Sequence, residues 1–394
     1  MPDGRKRWLP LILAALLVSC SEDPTEDNAL LAPLPFLGVA VRETTLTVAN
    51  GSSFQQYSPM NGNINLVGRS GNYTAVTALA FYSNYFPNRD TVTVASARLF
   101  LRAASFFGDS TAPFGFTVHR ISRSWTAGSA TWDSLQSGFY DASLARGTFS
   151  GSVGADTQRI TVDLDTAMVR EWLRTPGTDN TDTKYGIVLV PSAGANIVRG
   201  FHSFEADSTS YIPTLEIIAV NAAGTVRDTT SYSLGVDTFF GNNENVMNRS
   251  DLFYLQAGIL YRSHLVVDVS AIPKGSTIHL AELLLERDPL TSKLNRFSGD
   301  QTFAAHLALT DSAKGGFQSS ATSGAVKSGT TDTYAADIRT AVQTWVRGPN
   351  YGLILRVAGD QEFQSFDLLT FYNATAANLQ QRPRVRIVYS VPQN

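Results

Sequence analysis

A single cysteine, Cys20, occurs in the 394 residues, so no disulfide within the chain can hold it together. Burial of apolar side chains must supply the stability instead, and a chain of this length can build two cores of ordinary domain size. Charge is scarce as well. Asp, Glu, Lys and Arg make up 16% of the residues, with a formal net charge of -3, against roughly 25% charged residues in an average soluble domain. A chain this close to neutrality lacks the basic surplus that draws nucleic acids or anionic membrane surfaces, so neither is an expected partner. Long apolar runs are missing too: the stretch from Trp8 to Val18 is eleven residues, about half of the ~20 that a membrane-spanning helix requires.

The residue patterns of catalysis are equally thin. The five histidines, His119, His202, His264, His279 and His306, include no HExxH segment and no pair four residues apart that would hold a metal. No GxSxG occurs, and no Gly-rich phosphate loop leads into a helix. Gly108-Asp109-Ser110 lies in a Gly/Ser/Thr loop between strands, where a nucleophile elbow would need a strand-to-helix turn. Asp179, Asn180 and Asp182, and the run Asn242 to Asn245, carry oxygen ligands without EF-hand spacing, and such Asx residues are ordinary turn formers. Thirty-four acidic residues single out no opposed pair of the kind glycoside hydrolysis uses. The expectation is a chain with no catalytic centre, metal or cofactor.

What is present begins with a leader. Arg5, Lys6 and Arg7 precede the short apolar run, and Leu17-Val18-Ser19-Cys20 closes it, which is the layout of an export signal. These four residues resemble the lipobox of bacterial lipoproteins. The resemblance implies a signal peptide over residues 1–19, with Cys20 as a mature N-terminus that carries acyl chains and so anchors the protein to a membrane, as a cell-envelope lipoprotein. Several chains hold where one does not. Residues 20–41, acidic and Pro-punctuated, read as a flexible tether.

Beyond the tether the sequence repeats itself. Asp163 to Arg174, then Tyr185-Gly186-Ile187-Val188-Leu189, is echoed by Asp337 to Arg347, then Tyr351-Gly352-Leu353-Ile354-Leu355. Apolar residues at 338, 341, 342, 345 and 346, and Leu164, Met168 and Trp172 in the first copy, share one helical face. An Asp stands at each start to cap the first free N–H groups, and an Arg lies in each last turn. Four further blocks recur in order: Ala78 to Phe81 with His264 to Val267, Ala97 to Arg102 with Ala281 to Glu286, Phe116 to His119 with Phe303 to His306, and Pro213 to Ile217 with Pro383 to Ile387. Short alternating strands with regular turn signals and one short helix per copy predict an all-β chain of two tandem β-sandwich domains of jelly-roll type, over 42–220 and 226–391.

The first copy carries Ala97-Arg98-Leu99-Phe100-Leu101, Val118-His119-Arg120-Ile121, Ser124-Trp125-Thr126-Ala127-Gly128-Ser129-Ala130-Thr131-Trp132, Phe201 to Glu205 and Pro213-Thr214-Leu215. With these it resembles the DNRLRE domain, a jelly-roll module related to disaggregatase-type carbohydrate-binding modules of exported microbial proteins. Ala127 or Gly128 stands where that family often has an acidic residue, and the second copy keeps only Phe317 of the Trp segment. The resemblance implies a non-catalytic surface module with polysaccharide as its ligand. Trp125, Trp132 and Tyr140 are then the candidate sugar-binding rings, because a flat ring packs against a pyranose face while polar neighbours bond the hydroxyls. The same rings would equally serve as core plugs, whereas Trp172 and Trp345 belong to the core by their place on the helix face. A structural stalk or an adhesin subunit against another surface protein is the competing expectation. A polysaccharide-degrading enzyme is the third, with no residues to name for it.

Overall fold

The computed structural model describes residues 40–391 apart from 50, 57–59, 61, 82–89, 136–137, 155–156, 175–183, 244–248, 295–301 and 313. Cys20, the leader, most of the tether, Asp179, Asn180, Asp182, Glu244 and Asn245 lie outside the described residues. The chain is all-β, with every strand pairing among the described residues antiparallel.

The leading strands are β1 (Ala40–Thr47) and β2 (Ser52–Gln55). Next come β3 (Ile64–Ser70), β4 (Tyr73–Phe81), the long β5 (Thr93–Gly108) and β6 (Gly115–Arg120). A single helical turn, α1 (Trp132–Leu135), precedes β7 (Gly147–Ser150), β8 (Arg159–Asp163) and helix α2 (Thr166–Leu173). The first copy ends with β9 (Ile187–Pro191), β10 (Ile197–His202) and β11 (Thr214–Val220), and the 17-residue β12 (Arg227–Asn243) follows. The second copy supplies β13 (Leu252–Gln256), β14 (Tyr261–Leu265), β15 (Thr277–Glu286), β16 (Phe303–Ala308), β17 (Phe317–Val326) and β18 (Thr333–Asp337). Helix α3 (Arg339–Arg347), β19 (Leu353–Val357), β20 (Leu368–Tyr372) and β21 (Arg384–Val391) complete it.

Alternation in the sequence becomes facing in the sheet. In β5, Leu99, Leu101 and Ala103 are buried while Arg98, Phe100 and Arg102 point outward. The helices behave as their sequences require. Asp165, at the N-cap of α2, accepts a hydrogen bond from the Ala167 N–H, and Asp337, one residue before the N-cap Ile338 of α3, accepts from the Arg339 N–H, both at 2.9 Å, so a carboxylate meets a free N–H at each helix start. Trp172 and Trp345 close the two cores from the side. Turn α1 is an addition to the one helix expected in the first copy.

Each sheet curls around one core, but the leading strands are exchanged. β12, which opens the second copy, pairs along β11 and then along β4 of the first. Its Tyr232 and Leu234 sit in the first core. β1, which opens the first copy, pairs along β21, and β2 pairs along β14, so Val48 is buried in the second core. The registers correspond: Leu234 and Val48 follow the same relation to Pro213 and Pro383, and Phe240 and Phe54 stand opposite Val76 and Arg262. The first body thus comprises residues 64–243, and the second comprises 252–391 closed by 40–55 from the far end of the chain. Hydrogen bonds from Ala49 N–H to the Val266 carbonyl, and both ways between Gly51 and the Asn373 side chain, hold that closure.

A third apolar cluster joins the two bodies. Phe366 of the second, fully buried, packs within about 6 Å of the Tyr73, Phe107 and Phe239 rings of the first, at 5.9, 6.0 and 6.3 Å between centroids. Two glycines permit this approach. A side chain on Gly241 would run into the Gly258 carbonyl oxygen, and Gly258 itself has φ +70° against the Phe366 ring.

Candidate functional site

The segment that carries Trp125, Trp132 and Tyr140 folds over the outer face of the sheet formed by β4, β6, β9 and the second half of β12. There Phe139 and Leu135 pack on Val76, Ala78, Ile121, Val188 and Phe240, with the three candidate rings half-buried around them. Trp125 is pinned: its indole N–H donates to the Tyr185 carbonyl at 2.8 Å and its ring meets Phe139 edge-on at 6.0 Å. Tyr140 leans on the His119 imidazole at 5.3 Å. Trp132 borders a shallow cleft beside Phe239, Gly258 and Leu260 at the junction of the bodies. The segment brings all three rings to one small satellite core, so their apolar area is largely spent on packing.

The recurrent histidines are hydrogen-bonded strand residues. His119 donates from Nδ1 to the Asp141 carbonyl (2.9 Å), and His306 from Nδ1 to the Gln318 carbonyl (2.8 Å) while its Nε2 accepts from Arg356 (3.0 Å). Burial, with the Arg356 charge beside it, holds the His306 imidazole below the ordinary histidine range. A lowered folded-state value means that the unfolded chain takes up the proton more readily. This contribution to stability is therefore lost as pH falls below about 6.5. His306→Gln should lose less stability than the parent between pH 7 and 5 in paired denaturant titrations; equal losses would remove His306 from the account. Asp237, raised by burial, acts in the opposite sense in both proteins and cancels in the comparison.

Asp109 turns back on its own loop, accepting from the Thr111 N–H and hydroxyl, and no group of three or more His, Cys, Asp or Glu among the described residues is placed to hold a metal ion. No helix of the described residues is long and apolar enough to cross a membrane, which leaves β-barrels unaddressed.

Rings and polar groups meet solvent together elsewhere, on the outer face of β8, β5 and β11. An open groove of about 310 Å³ runs there, lined by Phe100, Arg102, Arg159, Tyr211, Glu216 and Ser231 among others. The pleat of β5 places Phe100 between Arg98 and Arg102, and β8 sets Arg159 opposite Arg102. A short 3-10 turn, Thr209–Tyr211, brings the phenol ring over from the loop before β11. The Arg159 guanidinium lies 3.6 Å from the Phe100 centroid and the Arg102 guanidinium 5.1 Å from that of Tyr211, with the His202 ring tilted against Tyr211 at 4.6 Å. Burial and the nearby Arg102 charge lower the His202 pKa, with Asp207 acting weakly the other way. Arg98 and Glu216 close on each other at 2.6 Å. This volume is at the lower end of the roughly 300–1,000 Å³ typical of small-ligand sites.

None of the groove residues stood out as candidates in the sequence. The one available signal lay in the repeat: Ala97-Arg98-Leu99-Phe100-Leu101-Arg102 aligns with Ala281-Glu282-Leu283-Leu284-Leu285-Glu286, which reverses both charges and deletes the ring. No family model matches the chain, and no curated protein matches it.

Proposed function

We propose that this chain is an exported, lipid-anchored, non-catalytic protein of the cell envelope that holds polysaccharide with its first sandwich, as a DNRLRE-type module would. The observation that carries this reading is the groove over β5. Two aromatic rings, two guanidiniums, a carboxylate and serine hydroxyls converge on one open channel. Rings give a pyranose an apolar floor, and the polar groups around them bond its hydroxyls. The alternative of a stalk or adhesin subunit draws support from a different feature, the exchanged strands and the shared Phe366 cluster, which would let two sandwiches bear load as one body.

Retention of the exported chain on immobilised polysaccharides tests the reading. Phe100→Ala and Tyr211→Ala are each expected to weaken retention by about 1–3 kcal/mol, the usual loss when an aromatic anchor is removed. Trp125→Ala, by contrast, should act chiefly on stability, because its N–H and ring are committed inside the satellite core. A chain that retains no polysaccharide leaves the stalk or adhesin reading in possession. If Trp132→Ala alone abolishes retention, the binding face belongs to the 121–140 segment instead.

A further inference from the structure

We propose that the groove over β5 selects an acidic polysaccharide, one whose sugars carry carboxylate groups; this rests on the polysaccharide-binding reading and adds the substrate class. Arg98 and Glu216 neutralise each other. Arg102 spends one guanidinium N–H on the Thr157 carbonyl at 2.8 Å and otherwise lies over the Tyr211 ring, 5.1 Å from its centroid. Arg159 is exposed, and its guanidinium has no hydrogen bond or ion pair among the described residues; it rests on the Phe100 ring. Asp163 is the nearest further carboxylate on β8, but it stands opposite Arg98, two pleats away from Arg159. The groove therefore keeps two cationic forks in excess, each stiffened by a ring. Planar forks of this kind bond a carboxylate through paired N–H groups.

The second body is the internal comparison, since duplication has placed the same strands in the same register there. Glu282 and Glu286 stand in place of Arg98 and Arg102, Leu284 in place of Phe100, Thr333 in place of Arg159, and Gln381 in place of Tyr211. The charges at these positions are answered among the described residues: Glu282 by Lys327 at 3.0 Å, Glu286 by Arg384 at 3.2 Å and the Thr333 hydroxyl at 2.9 Å, and Arg386 by Glu43 at 2.6 Å. A face built only to be solvated would need no more than that. The first body departs at each of these positions at once, toward unanswered guanidiniums on aromatic supports.

The test compares polygalacturonate, alginate and hyaluronate with their methyl-esterified forms, dextran sulfate and single-stranded DNA, all against the full exported chain by affinity electrophoresis. At least one carboxylated polymer should be retained at least tenfold more strongly than its ester, with retention falling as salt rises from about 50 to 500 mM. Arg159→Thr, which copies the second body, should lose most of that preference without shifting the thermal midpoint, and Arg159→Lys should recover only part of it. Equal retention of acid and ester would overturn the carboxylate assignment and leave the polysaccharide reading standing. Stronger retention of dextran sulfate or DNA than of every carboxylated polymer would also overturn it. No retention of any polymer would overturn both.

Discussion

A chain shortened to begin after Gln55 is expected to lose its C-terminal sandwich, although every residue removed comes from the N-terminus. Among the described residues β1 is the sole partner of the outer edge of β21, over eight residue pairs, and β2 pairs with β14 over four. Val48 also fills part of the second core. Burying one such side chain contributes about 1.5–3 kcal/mol. Removal of the strands would also leave the β21 and β14 edges with unpaired N–H and C=O groups. Set against a domain stability of about 5–15 kcal/mol, the combined loss is enough to leave the second body molten. The remedy identifies the cause. Ala40 lies opposite Val391, as Arg227 lies opposite Val220 in the first body, where the turn Asn221 to Val226 joins the two strands. Moving residues 40–55 behind Val391 through a copy of that turn should restore the second body's near-UV circular dichroism and its cooperative unfolding. If the shortened chain melts in a single transition at the parent's midpoint, the exchange has no energetic meaning.

That exchange was beyond reach of the sequence for a physical reason. Leu46-Thr47-Val48 and Tyr232-Ser233-Leu234 alternate alike, so each announces a strand with one buried face. Alternation specifies a face but not a partner, and two homologous sheet edges offer equivalent partners. The duplicated order, the capped helices and the core positions of Trp172 and Trp345 were legible, because each depends on local periodicity or on a cap within a few residues. The aromatic segment was legible only in part. Ring content marked Trp125, Trp132 and Tyr140, but whether a ring faces sugar or sheet depends on Val76, Val188 and Phe240, which arrive from three distant strands. The groove was hidden for the converse reason: its rings and guanidiniums are spaced by the pleat, and Tyr211 joins them only through a turn more than a hundred residues from Phe100.

Glu362→Gln is expected to cost about 3–5 kcal/mol, because it leaves the buried Arg262 guanidinium and the half-buried one of Arg356 without their counter-charge. Glu362 sits on a short 3-10 turn, Gly359–Phe363, that lies over β14 and β19, and its side chain is 1% exposed. Arg262 donates to both of its carboxylate oxygens, at 2.7 and 2.9 Å, and Arg356 donates to one at 2.6 Å. The remaining Arg262 N–H group bonds Gln56 at 2.7 Å, just past β2, so the same network clamps the exchanged strand. An amide of equal size keeps the packing and removes the charge, which separates electrostatics from cavity formation. The first body indicates what else this face can hold, for Val76 and Val190 occupy the positions of Arg262 and Arg356 in the same register. Replacing the whole network, as Arg262→Val with Arg356→Val and Glu362→Leu, should therefore recover most of the loss, since apolar packing can match a buried ion cluster once no lone charge remains. Denaturant unfolding of the single and triple variants decides between them. A single-variant loss under about 1 kcal/mol would mean that water reaches the guanidiniums. A triple variant no better than the single would mean that the charges, rather than their mutual neutralisation, hold the turn over the sheet.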